Sequence, residues 1–304
     1  MKNSIIIATY NRSSLISNSI QSVLNQTYAD WELIVADDGS TDDTREVVEA
    51  FLQQDERVRY IALKENKGAT TARNRGIAEA TGDLIMVWDS DDELYPRALE
   101  RVVNEFRSQP DIGIVSVPCA QRLPDGTEKE YRNVASGRIT LEQIVCKHLP
   151  DNEKVRVAKA EIFKQVKYEA RNIDFTVNGY LASLGQWYHI GEELGVLNLE
   201  LDEVSLTANR KQPNAKRSVE RVEPLLRYFE NFGELVKANC PKRYAALCYG
   251  LSLGLLLKGE KEKARQYARE AVHFDGIAKH KRLKWLTKTP GGATILRILY
   301  KMRQ

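Results

Sequence analysis

Residues 85–93 read IMVWDSDDE, an uninterrupted apolar run that leads directly into a group of aspartates. A short run of this kind predicts a strand buried on both faces of a sheet. Asp89 and Asp91 then lie where the strand leaves the sheet, and residues two apart on an extended segment point to the same side. In open α/β sheets, ligands bind at this carboxyl edge. The stretch therefore predicts two carboxylates that can hold Mg²⁺ or Mn²⁺ together with a diphosphate.

Strands and helices alternate on both sides of this acidic stretch. Predicted strands cover residues 4–9, 31–36, 58–63, 85–88 and 112–117. Two predicted helices begin near Ser13 or Ser14 and near Thr41, and two more cover residues 69–80 and 96–108. This alternation predicts βαβ units with right-handed connections, and hence a mostly parallel, Rossmann-like sheet flanked by helices. Polar clusters follow the first, second and fourth strands, so we expect them at one edge. That convergence favours a ligand site over a solvated acidic turn leading into the helix at Pro96.

The pattern changes after residue 118. A turn at 123–127 is expected inside a hairpin, helices are predicted at 140–148, 158–166 and 172–184, short strands at 187–190 and 196–199, and a polar loop at 209–216. From residue 219 onward every predicted element is a helix, including a hairpin of 244–257 and 262–272. The chain therefore predicts an α/β part followed by an all-helical subdomain.

The composition is that of an ordinary water-soluble chain, with 304 residues, 42% hydrophobic, 29% charged and a net charge of +3. The cysteines at 119, 146, 240 and 248 have no C-x-x-C spacing, so we expect neither a zinc site nor a disulfide framework, and a reducing compartment. The first residues lack an apolar signal segment, and no stretch approaches the roughly 20 apolar residues of a membrane-spanning helix. These features predict a cytoplasmic protein.

The C-terminal end is basic. No acid follows Asp275, whereas basic residues recur at Lys279, Lys281, Arg282, Lys284, Lys288, Arg297, Lys301 and Arg303. Apolar residues such as Trp285 and Leu286 are interspersed with them, which suits a helix lying on an anionic membrane surface. A helix packed onto the body of the protein with a solvated basic face explains the pattern equally well. Nucleic-acid binding is not supported, because no basic motif interleaved with aromatic residues is visible.

Five motifs occur in an order that is typical of one enzyme family. They are SIIIATYN at 4–11, SVLNQTY at 22–28, WELIVADDGSTD at 31–42, NKGATTARNRG at 66–76 and WDSDD at 88–92. Several motifs in the correct order are far more specific than any one of them alone. The first 120 residues or so therefore resemble the family-2 glycosyltransferases, which have the GT-A fold. The resemblance implies transfer of a sugar from a nucleoside-diphosphate donor to an acceptor, with inversion at the anomeric carbon.

The resemblance also implies a division of the chain into domains. A GT-A glycosyltransferase domain is expected at residues 1–215, with a nucleotide-binding half at about 1–118 and an acceptor half at about 119–215. The helical subdomain with its basic amphipathic tail is then expected at residues 216–304.

The donor, with uridine as the expected nucleoside, is implied to bind at the carboxyl edge of the sheet. The donor-binding candidates are Thr9, Tyr10, Asn11, Asp38, Arg73, Asp89 and Asp91. Tyr10 offers a flat partner for the base, Asp38 an acceptor for a uracil N–H, and Arg73 a planar fork for phosphate oxygens. In similar enzymes the first acid of Asp-x-Asp contacts ribose or sugar and the second the metal. This assigns Mn²⁺ or Mg²⁺ to Asp91, with Asp89 beside it and Asp92 as a further candidate.

Each of these candidates also has a purely structural interpretation. Asp37 and Asp38 can form a turn and helix-cap cluster, and we expect at least one of them to be structural. Arg73 can pair with an acid, and Asn74 can bond a neighbouring loop. All of them are predicted at one sheet edge, so the functional interpretation is favoured for the group as a whole.

A catalytic base completes the implied mechanism. An acceptor hydroxyl must lose its proton on the face opposite the leaving group, and one positioned carboxylate can take it. In the family the base lies in a Glu-Asp pair at the start of a helix, and ARNIDFTVNGYL at 170–181 is the matching segment. Asp174 matches the second acid, but Ile173 replaces the first, so Glu169 stays open as a competitor. A later basic element, Arg210 or Lys211, is the candidate for closing over the diphosphate.

Two other functions compete with this one. A phospho-receiver domain also clusters acids at a parallel sheet edge, but its acids follow the first and third strands, whereas these follow the second and fourth. A non-catalytic sugar-nucleotide-binding or protein-interaction module stays open because of the departure at Ile173. For the enzyme, the expected partners are a nucleoside-diphosphate sugar and a carbohydrate or lipid-linked acceptor in surface polysaccharide or glycolipid synthesis. The basic tail suggests peripheral contact with the inner face of the cell membrane.

Overall fold

The computed structural model of the chain describes residues 1–130, 135–146, 153–168, 174–199, 215–275, 278–289 and 291–294. The chain divides into two compact units. The first unit comprises Met1–Leu141, Leu149–Glu169 and Tyr180–Glu200, and the second comprises Glu142–His148, Ala170–Gly179 and Leu201–Gln304. Among the described residues, the first unit contains all the strands and the second is helical.

Strands and helices follow one another in the predicted alternation. The strands are β1 Asn3–Thr9, β2 Trp31–Asp37, β3 Val58–Ala62, β4 Leu84–Asp89, β5 Glu93–Leu94, β6 Ile112–Pro118, β7 Ala120–Arg122, β8 Glu128–Lys129, β9 Gly137–Ile139, β10 Glu153–Lys159, β11 Gln186–His189 and β12 Gly195–Asn198. The helices are α1 Ile16–Leu24, α2 Thr44–Leu52, α3 Ala69–Glu79, α4 Ala98–Ser108, α5 Leu141–Val145, α6 Ala160–Phe163, α7 Asp174–Leu184, α8 Ala215–Glu220, α9 Val222–Asn239, α10 Pro241–Lys258, α11 Lys261–Phe274 and α12 Ala278–Lys288.

The larger sheet has the strand order β3-β2-β1-β4-β10-β6-β11-β9 within the described chain. The first four strands in this order pair in parallel. β10 then runs antiparallel to both of its neighbours, β11 is parallel to β6, and β9 is antiparallel to β11. The α/β architecture is therefore confirmed, with a parallel half that contains every strand leading into a predicted ligand residue.

The parallel half is held together by apolar side chains on both of its faces. β1, β2 and β4 are buried along most of their lengths, as expected for parallel strands covered on both faces, whereas β3 at the edge of the sheet is only partly buried. α3 approaches β1 closely at Gly76, where an added Cβ would clash with Ile6 Cγ2. This close contact fixes the helix that carries Arg73 against the sheet.

A smaller sheet, in the order β5-β12-β7-β8, lies in the same unit. β5 follows the aspartate stretch directly and pairs antiparallel with β12. β12 also pairs in parallel with β7, and β7 forms the predicted hairpin with β8 around a turn at Gly126. The aspartate stretch therefore runs from a strand of the larger sheet into a strand of the smaller one.

The second unit is built from α9, α10 and α11 with the shorter helices. Gly259 ends α10 in the left-handed conformation, at φ 92°, which allows the chain to turn into α11 as the sequence predicts. Cys146 and Cys240 form a disulfide with a Cα–Cα separation of 5.7 Å. The expectation of no disulfide framework is therefore wrong for this pair, and the cysteines no longer favour a reducing compartment. The two cysteines are 94 residues apart, and spacing along the chain carries no information on such a pairing.

Three local predictions also differ from the structure. Residues 158–166 were expected to form one helix, but Ala158 lies in β10 opposite Ile85, and only Ala160–Phe163 is helical. Strand pairing on both sides outweighs the helical preference of this segment. Neither Ser13 nor Ser14 caps α1, which begins at Ile16. Thr41 does not cap α2, because the helix begins at Thr44 and Asp42 accepts the Thr44 N–H.

The basic tail is described as far as residue 294. Leu283 and Leu286 are buried in the core of the helical unit, whereas Trp285 is 60% exposed. The rest of the predicted amphipathic segment lies outside the described residues. No helix in the described part of the chain combines the length and the apolar character needed to cross a membrane.

Candidate active site

The carboxyl ends of β1, β2 and β4 lie side by side, as the sequence predicts. Ala8 pairs with Asp89 across β1 and β4, and Thr9 pairs with Asp37 across β1 and β2. Thr9 is buried, while Tyr10, the next residue, leaves the sheet with 41% of its surface exposed. The exposed ring therefore stands at the same edge as the first aspartate of the predicted site.

Asn11 ties the end of β1 to the end of β2. Its backbone N–H donates to Ser40 Oγ at 2.9 Å, and its Oδ1 accepts the Thr41 N–H at 2.8 Å. Asn11 has a positive φ of 50°, a conformation that asparagine tolerates better than most residues. In this structure the side chain of Asn11 shapes the loop beside Tyr10.

Asp37 and Asp38 are both buried and both organise loops. Asp37 Oδ1 accepts from the N–H and Oγ of Ser40 at 2.9 and 2.7 Å, and Oδ2 accepts from Tyr60 Oη. Burial, together with that hydrogen bond, raises the pKa of Tyr60 above its ordinary value. Asp37 is therefore the structural member of the pair that the sequence led us to expect.

Asp38 holds the loop in front of α3. Its Oδ1 accepts the Lys67 N–H at 2.9 Å, and its Oδ2 accepts the Gly68 N–H at 2.6 Å. Gly68 has a φ of 94°, which suits glycine alone among the common residues. Each carboxylate oxygen has two lone pairs. An N–H group of a nucleotide base can therefore bind Asp38 only through the lone pairs that Lys67 and Gly68 do not use.

Arg73 lies beside the first aspartate of the cluster. Its Nη2 is 2.8 Å from Asp89 Oδ1, and its guanidinium carbon lies 5.6 Å from the centre of the Tyr168 ring. Asn74 fixes Tyr168 through two hydrogen bonds, donating to its carbonyl at 2.6 Å and accepting its N–H at 2.9 Å. The structure therefore brings Arg73 to the predicted site and gives Asn74 a supporting role.

Three carboxylates converge at the end of β4. One oxygen each from Asp89, Asp91 and Asp92 lies within 4.8 Å of the others. Two oxygens bound to one Mg²⁺ lie at most about 4.2 Å apart, so the spacing of this set is close to that of ligands on one ion. Carboxylate oxygens are the donors that Mg²⁺ and Mn²⁺ prefer. The residues present fit such an ion, and Asp92 joins the predicted pair.

A cavity of about 270 Å³ opens beside Asp91. Its polar lining comes from acidic, amide and arginine side chains, and its apolar lining from the residue before α1, the β7–β8 turn and the residue after β12. The lining residues are Leu15, Asn18, Asp91, Glu93, Arg122, Leu123, Pro124, Gly126, Asn198 and Leu199. No sequence pattern points to Arg122 or Asn198, because neither lies in a motif and both reach the site through the smaller sheet.

The predicted base and basic loop lie elsewhere along the chain. Asp174 is the first residue of α7 and belongs to the second unit. Glu169, Arg210 and Lys211 lie outside the described residues. Their roles therefore stay predictions.

Sequence comparison identifies the family. Residues 4–169 match the model of glycosyl transferase family 2. The chain is 39% identical over 124 residues to the putative teichuronic acid biosynthesis glycosyltransferase TuaG of Bacillus subtilis, covering 41% of this chain and 49% of that protein. It is 37% identical over 105 residues to the GalNAc(5)-diNAcBac-PP-undecaprenol beta-1,3-glucosyltransferase of Campylobacter jejuni, covering 34% of each. The match thus spans about a third to a half of these curated relatives.

Structure comparison identifies the fold over nearly the whole chain. TarS 1-349 of S. aureus in complex with UDP-GlcNAc aligns with a TM-score of 0.61 at 16% identity, covering 95% of this chain and 92% of that one. The mannosyltransferase PcManGT of Pyrobaculum calidifontis in complex with GDP-Man and Mn²⁺ aligns with a TM-score of 0.57 at 18% identity, covering 97% and 86%. With the family model matched across the parallel sheet and its acidic edge, the chain belongs to glycosyl transferase family 2 and has the GT-A fold.

Proposed function

We propose that this protein is an inverting, metal-dependent glycosyltransferase that moves a sugar from a nucleoside-diphosphate donor to a hydroxyl acceptor. The observation that carries the proposal is the ion pair between Arg73 and Asp89, which is one of three clustered aspartates at the end of β4. A bound diphosphate is stabilised by positive charge around its oxygens. More positive charge is needed when the diphosphate acts as the leaving group, because negative charge then develops on it. This edge offers a guanidinium and a set of carboxylates suited to a divalent cation within one small region.

The nucleoside binds, on this proposal, where β1 and β2 end. The exposed ring of Tyr10 provides a stacking surface for the base, and Asp38 accepts a uracil N–H through a lone pair that the Lys67 and Gly68 N–H groups leave unused. Thr9 and Asn11 shape the loop around the base. Uridine is supported by the complex of TarS with UDP-GlcNAc, and guanosine is the alternative because PcManGT was solved with GDP-Man.

The diphosphate binds between Arg73 and the aspartate cluster. Asp89 keeps the guanidinium in place and faces the ribose or sugar, while Asp91 and Asp92 provide oxygens for the cation. When bound, Mn²⁺ or Mg²⁺ neutralises the negative charge that develops on the leaving diphosphate. Arg73 has five N–H donors, so it can hold Asp89 and still donate to phosphate oxygens.

Asp174 is the proposed base, with Glu169 as its competitor. Its backbone begins α7, and a carboxylate at that position can accept the proton of an acceptor hydroxyl as the new glycosidic bond forms. Arg210 or Lys211 is proposed to close over the diphosphate. In this scheme the donor's anomeric carbon inverts, because the hydroxyl attacks from the face opposite the leaving group.

The proposed setting is surface polysaccharide or glycolipid synthesis, which the names of the Bacillus and Campylobacter relatives support. The acceptor is then a carbohydrate or lipid-linked sugar. The protein is proposed to act in the cytoplasm or on the inner face of the membrane, with contact through its basic tail and without nucleic acid. We also propose the division into residues 1–215 and 216–304, with a nucleotide half to about 118 and an acceptor half beyond it.

A panel of nucleoside-diphosphate sugars tests the proposal. Each donor is added to the full chain with and without Mn²⁺, and the unfolding midpoint and donor hydrolysis are measured. A ligand that binds the folded state raises the midpoint by mass action. Metal-dependent stabilisation and hydrolysis by one donor class are expected. Tight donor binding without turnover on any acceptor would favour a non-catalytic sugar-nucleotide module, and no binding to any donor would reject both.

A further inference from the structure

Asn198, the last residue of β12, contacts three consecutive residues, Asp91, Asp92 and Glu93. Its side-chain Nδ2 donates to the Asp91 carbonyl at 2.7 Å and to Glu93 Oε1 at 3.2 Å. Its backbone N–H donates to Asp92 Oδ1 at 3.0 Å. One residue of the smaller sheet thus holds a backbone group and two carboxylates at the site where the metal ligands converge.

Arg122 fixes the orientation of the Asn198 amide. Arg122 Nη1 donates to Asn198 Oδ1 at 3.0 Å and to Glu93 Oε1 at 2.6 Å, and Arg122 pairs with Asn198 in the register of β7 and β12. The amide oxygen therefore faces a donor and the amide nitrogen faces two acceptors. A reversed amide would place its NH₂ against the guanidinium and its oxygen against two acceptors, so only one orientation fits the network.

These contacts address a physical difficulty of the site. Three carboxylates with oxygens within 4.8 Å of one another repel when no metal ion is present, and Arg73 pairs with one of them, Asp89. The loop that carries them is anchored by β4 on one side and by the two-residue strand β5 on the other. The Asn198 contacts with Asp91 and Asp92 lie between these anchors, where the loop has to stay fixed against the repulsion.

We propose that Asn198, oriented by Arg122, is a positioning residue that holds Asp91 and Asp92 ready for the divalent cation. The inference rests on the proposed function, since it assumes that these aspartates bind the metal. It assigns the smaller sheet an indirect part in metal binding, because β7 and β12 set the geometry of the carboxylates that follow β4. Outer contacts of this kind typically change metal affinity by about 10- to 100-fold when they are removed.

Mn²⁺ binding to the full chain in the presence of UDP tests the inference, with free Mn²⁺ measured by electron paramagnetic resonance. Asn198→Asp keeps the side-chain size but replaces the donor with a charge that repels Glu93. Asn25→Asp makes the same chemical change at the exposed end of α1, where Asn25 accepts from Gln21. We expect the Kd for Mn²⁺ to rise about tenfold or more in the first variant and to stay at the wild-type value in the second.

Arg122→Met provides an independent variant, with Arg138→Met as its matched control. Arg138 forms an exposed ion pair with Asp111, so its loss tests the effect of removing an arginine pair from the same unit. Arg122→Met is expected to weaken Mn²⁺ binding in the same direction as Asn198→Asp, and a higher Mn²⁺ concentration is expected to restore its donor hydrolysis. A purely structural role would lower the metal-free unfolding midpoint without changing the Kd.

The outcomes separate this inference from the proposed function. Wild-type protein that does not bind Mn²⁺ would remove the metal from the proposed mechanism. Wild-type binding together with an unchanged Kd in both Asn198→Asp and Arg122→Met would overturn the positioning role alone. Should Asn198→Asp fail to fold, Asn198→Ser removes the amide without adding charge. The Kd of Asn198→Ser for Mn²⁺, compared with that of the wild type, then tests the positioning role.

Discussion

The Nη2 atom of Arg73 lies 2.8 Å from Oδ1 of Asp89. The arginine proposed to bind the diphosphate therefore forms an ion pair with the first aspartate of the cluster. The two side chains are 22% and 39% exposed, and both can therefore meet a ligand that enters the edge of the sheet. The pair comes from two elements, α3 and the end of β4. Its geometry allows Asp89 to hold the guanidinium in place before the donor arrives.

Arg73→Met is expected to weaken UDP binding. A hydrogen bond to a charged group contributes about 1.5–3 kcal/mol, so the Kd for UDP should rise by roughly 10- to 100-fold. Arg73→Lys keeps the charge but not the planar fork, and it should recover only part of the loss. Isothermal titration calorimetry with UDP and Mn²⁺ measures both effects, with Arg138→Met as the control. An unchanged Kd in Arg73→Met would place the diphosphate elsewhere.

Asp91→Asn is expected to abolish the effect of Mn²⁺ on the protein. An amide keeps the shape of the side chain but removes the negative charge that a divalent cation requires. The increase in unfolding midpoint that Mn²⁺ and UDP produce together should disappear, and donor hydrolysis should fall by at least about 100-fold, since metal neutralisation contributes several kcal/mol. Asp43→Asn, at an exposed helix start, serves as the control. Full metal-dependent turnover in Asp91→Asn would refute its proposed role.

The sequence predicts the parallel half of this fold because its signals are local. The apolar run at 85–88 and the aspartates after it are adjacent along the chain, and the structure places them as a buried strand and its exit. The same holds for Tyr10 and Arg73, each carried by a motif that ends a strand or begins a helix. Motif order then identifies the family, and the family implies which edge binds the donor.

The features that the sequence does not predict depend on contacts between distant residues. Asn198 contacts Asp91, which lies 107 positions earlier in the sequence, and the Cys146–Cys240 disulfide joins residues that are 94 positions apart. Ala158 lies in a segment with a helical pattern, yet β10 inserts it between β4 and β6. Neither spacing nor periodicity encodes such pairings. The proposed metal ligands were therefore predictable from the sequence, whereas the residues proposed to position them were not.

Glu32 is expected to make folding stability depend on pH in acid. Burial alone would raise its pKa, but hydrogen bonds from Ser4 and Thr81 and the charge of Lys2 lower the pKa from 4.5 to about 2. Because the pKa of Glu32 is lower in the folded state than in the unfolded state, the ionised carboxylate stabilises the fold at pH values above the pKa of the unfolded state. This contribution is lost as the pH falls from about 5 to about 2. Losing this contribution lowers the free energy of unfolding by on the order of 2 kcal/mol.

Glu32→Gln tests this dependence. Urea unfolding followed at several pH values should show a flatter stability profile below pH 5 for the variant than for the wild type. Glu56→Gln, an exposed change nearby along the chain, controls for the substitution itself. Parallel profiles for Glu32→Gln and the wild type would show that another group governs acid unfolding.

The Cys146–Cys240 disulfide is expected to stabilise the helical unit. Closing a loop of 94 residues restricts the unfolded chain, and native disulfides typically contribute about 2–5 kcal/mol. Cys146→Ser should therefore lower the unfolding midpoint, and reductant should lower the wild-type midpoint to the same value without changing the variant further. In protein denatured without reductant, a thiol assay should detect only Cys119 and Cys248. Four reactive thiols would contradict the disulfide.

Asp174→Asn separates a catalytic base from an acid that only begins a helix. A base acts on the acceptor hydroxyl, so its loss should leave the Kd for UDP unchanged and lower transfer by about 10²- to 10⁴-fold. An acid at the start of a helix contributes only about 0.3–1 kcal/mol to stability through the helix dipole. In that case Asp174→Asn would resemble Asp43→Asn, which alters the start of α2, with a slightly lower unfolding midpoint and normal transfer. Glu169→Gln, measured in the same assay, then shows whether the competing acid carries the proton.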